Sequence, residues 1–201
     1  MPSMGNHDLY RDDATPYFTH FAQLRGLPYY TFTHKDAQFY ALDGDEDLRV
    51  GSPQYAWLAS ELSASSSRWK VVYLHYPLYG SGSFEEFTEL RDALQPLLAK
   101  HGVQLVVDGH DHLYERSRAI EGVTHILTGG AGQTAFGFTK PLRPFTVFRA
   151  AVNHHVEFSV GHDAIVLRTI DADGNLIDSA SIPWHGTAQA VRGAQAISSP
   201  S

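Results

Sequence analysis

Short apolar runs alternate with amphipathic ones along most of this chain. "WKVVYLHYP" (69–77), "VQLVVDGHDH" (103–112) and "THILTGGAG" (124–132) are apolar and brief, the form of strands buried on both faces. The last two run directly into glycine turns. "AQFYALD" (37–43) reads as a further strand, closed by Asp43-Gly44-Asp45. Between them, "SPQYAWLASEL" (52–62) predicts a helix with Ser52 as N-cap and Pro53 in its first turn. Tyr55, Leu58 and Leu62 then share a face. "EEFTELRDALQPLLAKHG" (85–102) spaces Phe87, Leu90, Leu94, Leu97 and Leu98 helically and offers Gly102 as a C-cap. Pro96 should kink or split that helix, because proline has no N–H to donate. Strands that alternate with helices predict stacked α/β layers.

The two ends differ from this middle. Residues 1–36 show no sustained period and read as loop with one or two short helical turns; Tyr29, Tyr30 and Phe32 there suit an aromatic core. "HHVEFSV" (154–160), "AIVLRTID" (164–171) and "NLIDSASI" (175–182) are three strands in succession, with Asp173-Gly174 predicting a hairpin. Residues 1–186 thus read as one domain, and the Gly/Ala/Ser/Gln-rich residues 187–201 as a flexible tail. No internal repeat is visible.

Composition narrows the function classes. With 43% hydrophobic residues the chain can bury a core. A net charge of -7 argues against a nucleic-acid or anionic-membrane binder, which needs a basic face. No apolar run reaches the ~18 residues of a membrane-spanning helix. The absence of cysteine excludes disulfides, thiolate metal sites and cysteine nucleophiles. The 12 histidines turn attention to metal ligation, for which imidazole is the commonest side chain.

Three stretches carry chemistry: Gly5-Asn6-His7-Asp8, His75 closing "VVYLH", and Gly109-His110-Asp111-His112 closing "LVVDGHDH". Ligands gather at the carboxyl ends of strands in α/β sheets, so His75 and the His110/His112 pair are placed to meet. Amide oxygen, imidazole and carboxylate suit Zn, Fe or Mn rather than Cu(I) or an iron–sulfur cluster. Histidines at i and i+2 point to opposite sides of an extended segment, and so fit two adjacent ions or a tight turn.

Other polar residues have simpler readings. Glu115 and Arg116 are expected in ion pairs or holding a loop. Tyr79, Gly80 and Gly82 form a loop beside His75 that could face a substrate. Gly129, Gly130 and Gly132 read as a tight turn, and Asp171, Asp173 and Asn175 as a hairpin. His154, His155 and His162 read as surface.

Together "GNHD", "VVYLHYPLYGSG" and "VVDGHDHLYER" resemble the calcineurin-like metallophosphoesterases, nearest their purple acid phosphatase branch. That branch carries Gly-Asn-His-Asp/Glu, Val-x-x-His followed by Pro and Tyr, and Gly-His-x-His running into Tyr-Glu-Arg. The likeness covers roughly residues 1–184. It implies an α/β fold, an incomplete four-layer α/β/β/α sandwich with C-terminal antiparallel strands. It also implies metal-dependent hydrolysis of small-molecule or macromolecular phosphoesters, with two divalent or trivalent ions (Fe, Zn or Mn) in the complete domain. By position, Asn6, His75 and His110 match ligands of the second metal and His112 a ligand of the first. His7 matches the histidine beside the substrate phosphate, and Tyr79 falls on the substrate side.

The family's two earlier motifs, an Asp and a Gly-Asp at strand ends, have no counterpart before Asn6; Asp12 and Asp13 come after the loop and do not match by order. The resemblance therefore implies a domain whose N-terminal part is missing from the chain. Such a chain is expected to hold at most one ion well and to be weak or inactive. The competing reading is a non-catalytic metal-binding or structural remnant of the fold.

Overall fold

The computed structural model describes residues 1–9, 14–84 and 87–186; the predicted tail (187–201), Asp12, Asp13, Glu85 and Glu86 lie outside them. Among the described residues the elements are α1 (Thr15–His20), β1 (Tyr30–His34), β2 (Ala37–Ala41), α2 (Pro53–Ala64), β3 (Trp69–Tyr73), α3 (Thr88–Lys100), β4 (Leu105–Asp108), β5 (Tyr114–Ser117), β6 (Thr124–Thr128), β7 (Thr146–Ala150), β8 (His154–Val160), β9 (Ala164–Asp171) and β10 (Leu176–Pro183). Seven strands form one sheet in the order β1-β2-β3-β4-β6-β5-β7, and β10-β9-β8 form a second. The centre of the large sheet, β2-β3-β4-β6, is parallel, and its flanks are antiparallel.

Side-chain alternation builds the layers. On β3, Val72 faces α2 and α3, joining Leu58, Leu62, Leu94 and Leu98 in one core. Trp69 and Val71 face the other way, packing with Ile165, Leu167 and Ile182 of the small sheet. The large sheet is thus covered by helices on one face and by a second sheet on the other. Burying each such leucine is worth ~1.5–3 kcal/mol, so these two cores supply most of the drive to fold.

Local rules account for α2, whereas α3 depends on its packing. Ser52 caps α2 by accepting a hydrogen bond from the Tyr55 N–H, and Pro53 occupies the first turn. α3 runs through Pro96 without splitting. Its neighbours Gln95, Leu97 and Leu98 are buried, and that packing outweighs one missing backbone bond.

The structure adds three strands. β1 lies in the stretch expected to be loop; it is recruited as an antiparallel partner of β2, and aromatic contact between Phe32 and Phe39 (4.9 Å) holds the hairpin. β5 and β7 are short, of four and five residues, and pair with each other and, for β5, with β6. The three C-terminal strands and the Asp171 turn form as expected, with the Asp171 carboxylate accepting from the Asp173 and Asn175 N–H groups.

His154 overturns its surface reading. It is 4% exposed, its ring bonded to the Thr128 hydroxyl and the Val152 carbonyl. The start of β8 is tucked against the end of β6, where Gly130 leaves room for the imidazole: a Cβ there would lie 2.2 Å from His154 Nδ1. His125 is also buried, and burial pushes its pKa down to about 3.

Arg116 and Asp178 fasten the two sheets. Arg116 Nε and its terminal N–H donate to the two Asp178 oxygens at 2.7 and 2.9 Å, and the Tyr114 hydroxyl donates to Oδ2 at 2.7 Å. Burial acts to raise the Asp178 pKa, but these bonds prevail and hold it below the ordinary value. Asp178→Ala leaves a buried guanidinium unpaired and should cost about 3–5 kcal/mol of unfolding free energy in urea titrations, with much of the loss recovered by Arg116→Met in the same chain.

The buried imidazole at position 125 sets an acid-side prediction. Its folded pKa is below its unfolded one, so the unfolded chain binds more protons between about pH 6.5 and 3, and stability falls as pH drops through that window. Asp43, raised to about 6 by burial, acts in the opposite sense. His125→Phe should flatten the acid-side fall of the thermal midpoint relative to the parent chain; an equal slope would place the titration elsewhere.

Candidate metal centre

Neighbouring parallel strands bring the site together. β3 and β4 pair in register, so the residues just past their carboxyl ends emerge side by side. The Leu74 N–H donates to the Val107 carbonyl and the Gly109 N–H to the His75 carbonyl, extending the ladder into the loops. His110 then adopts a left-handed backbone (φ 66°), unusual for a residue with a Cβ and a form of strain found at functional sites. The segment is a tight turn rather than a strand, with the Asp111 N–H bonded to the Gly109 carbonyl and the Leu113 N–H to the Asp111 carbonyl.

The N-terminal loop supplies the third side. The Asp8 N–H donates to the Gly5 carbonyl and the Gly5 N–H to the Asp8 carboxylate, both at 2.9 Å, closing a compact turn around Asn6 and His7. Gly5 is required by proximity: a Cβ there would lie 2.7 Å from His75 Nδ1.

Three of the expected residues converge. His75 Nε2 is 2.8 Å from Asn6 Oδ1 and 3.1 Å from His110 Nδ1. With the amide oxygen so placed, Nε2 has one hydrogen at most to offer two acceptors. Three lone-pair donors facing one point suit a cation better than they suit one another. Burial lowers the pKa of His75 to about 4, aided by the neighbouring His110, and burial also lowers that of His110. Both rings are therefore neutral near pH 7, the state in which imidazole ligates. One amide oxygen and two neutral imidazoles fit a borderline divalent ion such as Zn, Mn or Fe.

The other two expected residues sit around this trio. His7 is exposed and near enough to His75 and His110 for its charge to oppose their protonation. His112 makes contacts of its own: its Nδ1 lies 3.3 Å from the Thr134 carbonyl and its ring stacks on Phe136 at 4.5 Å. If Nδ1–H donates to that carbonyl, Nε2 is left as the lone-pair donor. Tyr79 packs its ring between His125 and Phe145 (4.6 and 5.2 Å) and lines a cleft of about 10 Å³ shared with Lys140 and Arg143. Among the described residues, no group of three or more His, Cys, Asp and Glu is close enough to hold a metal, so the trio depends on the asparagine.

Sequence reasoning missed the aromatic shell. Tyr76, Phe84 and Phe87 have ring centroids 5.0, 4.4 and 5.6 Å from that of His110. They form an aromatic wall on one side of the site, and Tyr76 and Phe87 also line an open cavity of about 590 Å³. Only Tyr76, next to His75, carried a hint of this; the others arrive by chain folding. The glycines at 129 and 130 are not a simple turn either. Added Cβ atoms would lie 2.1 Å from the Asp111 carbonyl and 2.2 Å from His154, so both positions serve close approach.

Comparison with known proteins shows the family. The family model for calcineurin-like phosphoesterases matches residues 1–114. A phosphoenolpyruvate phosphatase of Allium cepa is 29% identical over 146 residues, covering 64% of this chain and 30% of that protein. Purple acid phosphatase 18 of Arabidopsis thaliana is 30% identical over 156 residues, covering 70% of this chain and 36% of the relative. The structure of a purple acid phosphatase from yellow lupin (Lupinus luteus) seeds superposes with a TM-score of 0.79 at 25% identity, covering 90% of this chain and 37% of that one. The chain spans about a third of the length of these curated relatives.

Because Gly5 abuts the His75 ring, Gly5→Ala should displace that imidazole and cost about 1–3 kcal/mol. Urea unfolding reads the cost and ring-nitrogen NMR reads the His75–Asn6 contact; unchanged values in both would show that the glycine serves another purpose.

Proposed function

The chain belongs to the calcineurin-like phosphoesterase family, and on that premise we propose that residues 1–186 are a partial domain for metal-dependent hydrolysis of phosphoesters. The convergence of Asn6, His75 and His110 on one point carries the reading. These three would hold one divalent ion, Zn, Mn or Fe, and His112 would serve a second. An ion there supplies Lewis-acid polarisation of a phosphoryl oxygen and a lowered pKa for water.

The chain's own residues do the rest. The imidazole of His75 remains neutral and available as a donor down to mildly acidic pH, and burial favours the neutral form of His110 as well. Tyr76, Phe84 and Phe87 pack against the His110 ring and hold its orientation. His7, exposed beside the trio, is the general acid: in its protonated form it delivers a proton to the departing alcohol oxygen. Tyr79 keeps a place in the proposal only through its loop beside His75, since the cleft it lines, about 10 Å³, has room for little more than a water molecule.

We assign the chain weak activity by itself. The trio is neutral, and among the described residues no carboxylate joins it to offset two cations. The same observation favours a second reading, in which the chain binds an ion and does not catalyse.

Metal content per chain and hydrolysis of a simple alkyl phosphate, whose alkoxide needs a proton to leave, test both. The parent chain should bind about one Zn²⁺ or Mn²⁺ and turn over slowly. His110→Ala and Asn6→Ala should lose the ion. His7→Ala should keep it and lose turnover by about 10²-fold or more. Metal binding with no hydrolysis supports the second reading, while hydrolysis indifferent to chelation or to His110→Ala rules out the first.

A further inference from the structure

Between the two histidines of the Gly-His-x-His turn lies Asp111, which turns inward and is 2% exposed. We infer that Asp111 is a positioning residue that clamps the 82–84 loop and so sets the aromatic wall against His110. The inference concerns the site proposed above and rests on that reading for its catalytic meaning.

Several contacts carry it. Asp111 Oδ1 accepts from the backbone N–H groups of both Ser83 and Phe84, each at 3.1 Å. Hydrogen bonds from backbone N–H to a carboxylate are among the stronger protein hydrogen bonds. The loop comes so close that a Cβ on Gly82 would lie 2.2 Å from the Asp111 carboxylate, and Gly82 has no positive φ to explain its identity otherwise. From behind, a Cβ on Gly129 would lie 2.1 Å from the Asp111 carbonyl. Two glycines on separate loops are thus shaped around one aspartate.

The clamp reaches both histidines. The Phe84 ring sits 4.4 Å from that of His110. The Ser83 hydroxyl donates to the Gly137 carbonyl and the Thr139 hydroxyl to the Gly82 carbonyl, tying the loop to the 134–139 segment. That segment carries Thr134 and Phe136, which flank His112. One buried carboxylate therefore links the surroundings of residues on either side of it.

The test compares Asp111→Ala, Asp111→Asn and Gly82→Ala in the full chain without metal. Asp111→Ala should speed amide exchange at Ser83 and Phe84 at least tenfold and shift the His110 ring signals, which feel the Phe84 ring current. Amides of β4 should keep their protection, showing that the fold holds. Asp111→Asn retains an oxygen acceptor and should restore most of both readouts. Gly82→Ala should disturb the same signals, but much less in the Asp111→Ala background, where the obstructing carboxylate is gone. Unchanged exchange at Ser83 and Phe84, unchanged His110 signals, or strictly additive Gly82 and Asp111 effects would each overturn the inference. Co²⁺ titration separates this from the functional reading. Affinity should drop about tenfold in Asp111→Ala, as loss of outer-shell support does. If the parent chain binds no Co²⁺, the phosphoesterase reading fails, and the two metal-free readouts alone decide the clamp.

Discussion

Parallel pairing of β3 with β4 is the constraint on which the site depends. A parallel pair ends both strands on the same edge, and here those ends are followed by His75 and by Gly109-His110. The backbone bond from the Gly109 N–H to the His75 carbonyl fixes the stagger of the two loops. Antiparallel pairing would send the two imidazoles to opposite edges of the sheet. The α3 crossover, buried through Leu94, Leu97 and Leu98, makes the parallel arrangement possible, because strands running the same way need a long covered connection.

Below the site lies an unusual concentration of buried acid. Asp108, Asp111 and Glu115 are each 3% exposed or less. Burial holds the Asp108 carboxyl well above the usual carboxylate range, and the nearby Glu115 and Asp111 add to this. Glu115 is answered locally: its carboxylate accepts from the Ser81 N–H and hydroxyl, both at 2.7 Å, and from the Thr146 hydroxyl. Arg149 in turn donates to the Ser81 hydroxyl. The carboxylates and the loop following His75 therefore stabilise one another. The carboxylates need donors, and the loop between Leu78 and Phe84 supplies backbone N–H groups that lack ladder partners.

How much was legible in the sequence follows from where each signal resides. α2 was readable because its cap and its apolar face both lie within a dozen residues. β8 and β9 match their sequence ranges because alternation over a one-sided sheet is a local pattern. β1, β5 and β7 were not read from the sequence: each is only four or five residues long, too short for a period to stand out, although β1 and β7 are rich in strand-forming residues. His154 was misread because its environment is made by Gly130 and Thr128, residues of a different strand end. In the site, the histidines and the asparagine were legible as types in a motif, whereas the aromatic wall and the inward turn of Asp111 were not.

The sequence by itself determined the alternation of strand and helix, the three polar loops and the donor types, because these depend on neighbours a few positions apart. It also carried the family, through motifs whose residue order is chemically specific. Only the tertiary structure decided that Asn6, His75 and His110 face a common point while the His112 ring is engaged by Thr134 and Phe136. Those contacts accompany the left-handed backbone at His110 and the burial of Asp111 beneath the loop. Such a choice is made by packing between segments 30 to 70 residues apart, where no local pattern can register it.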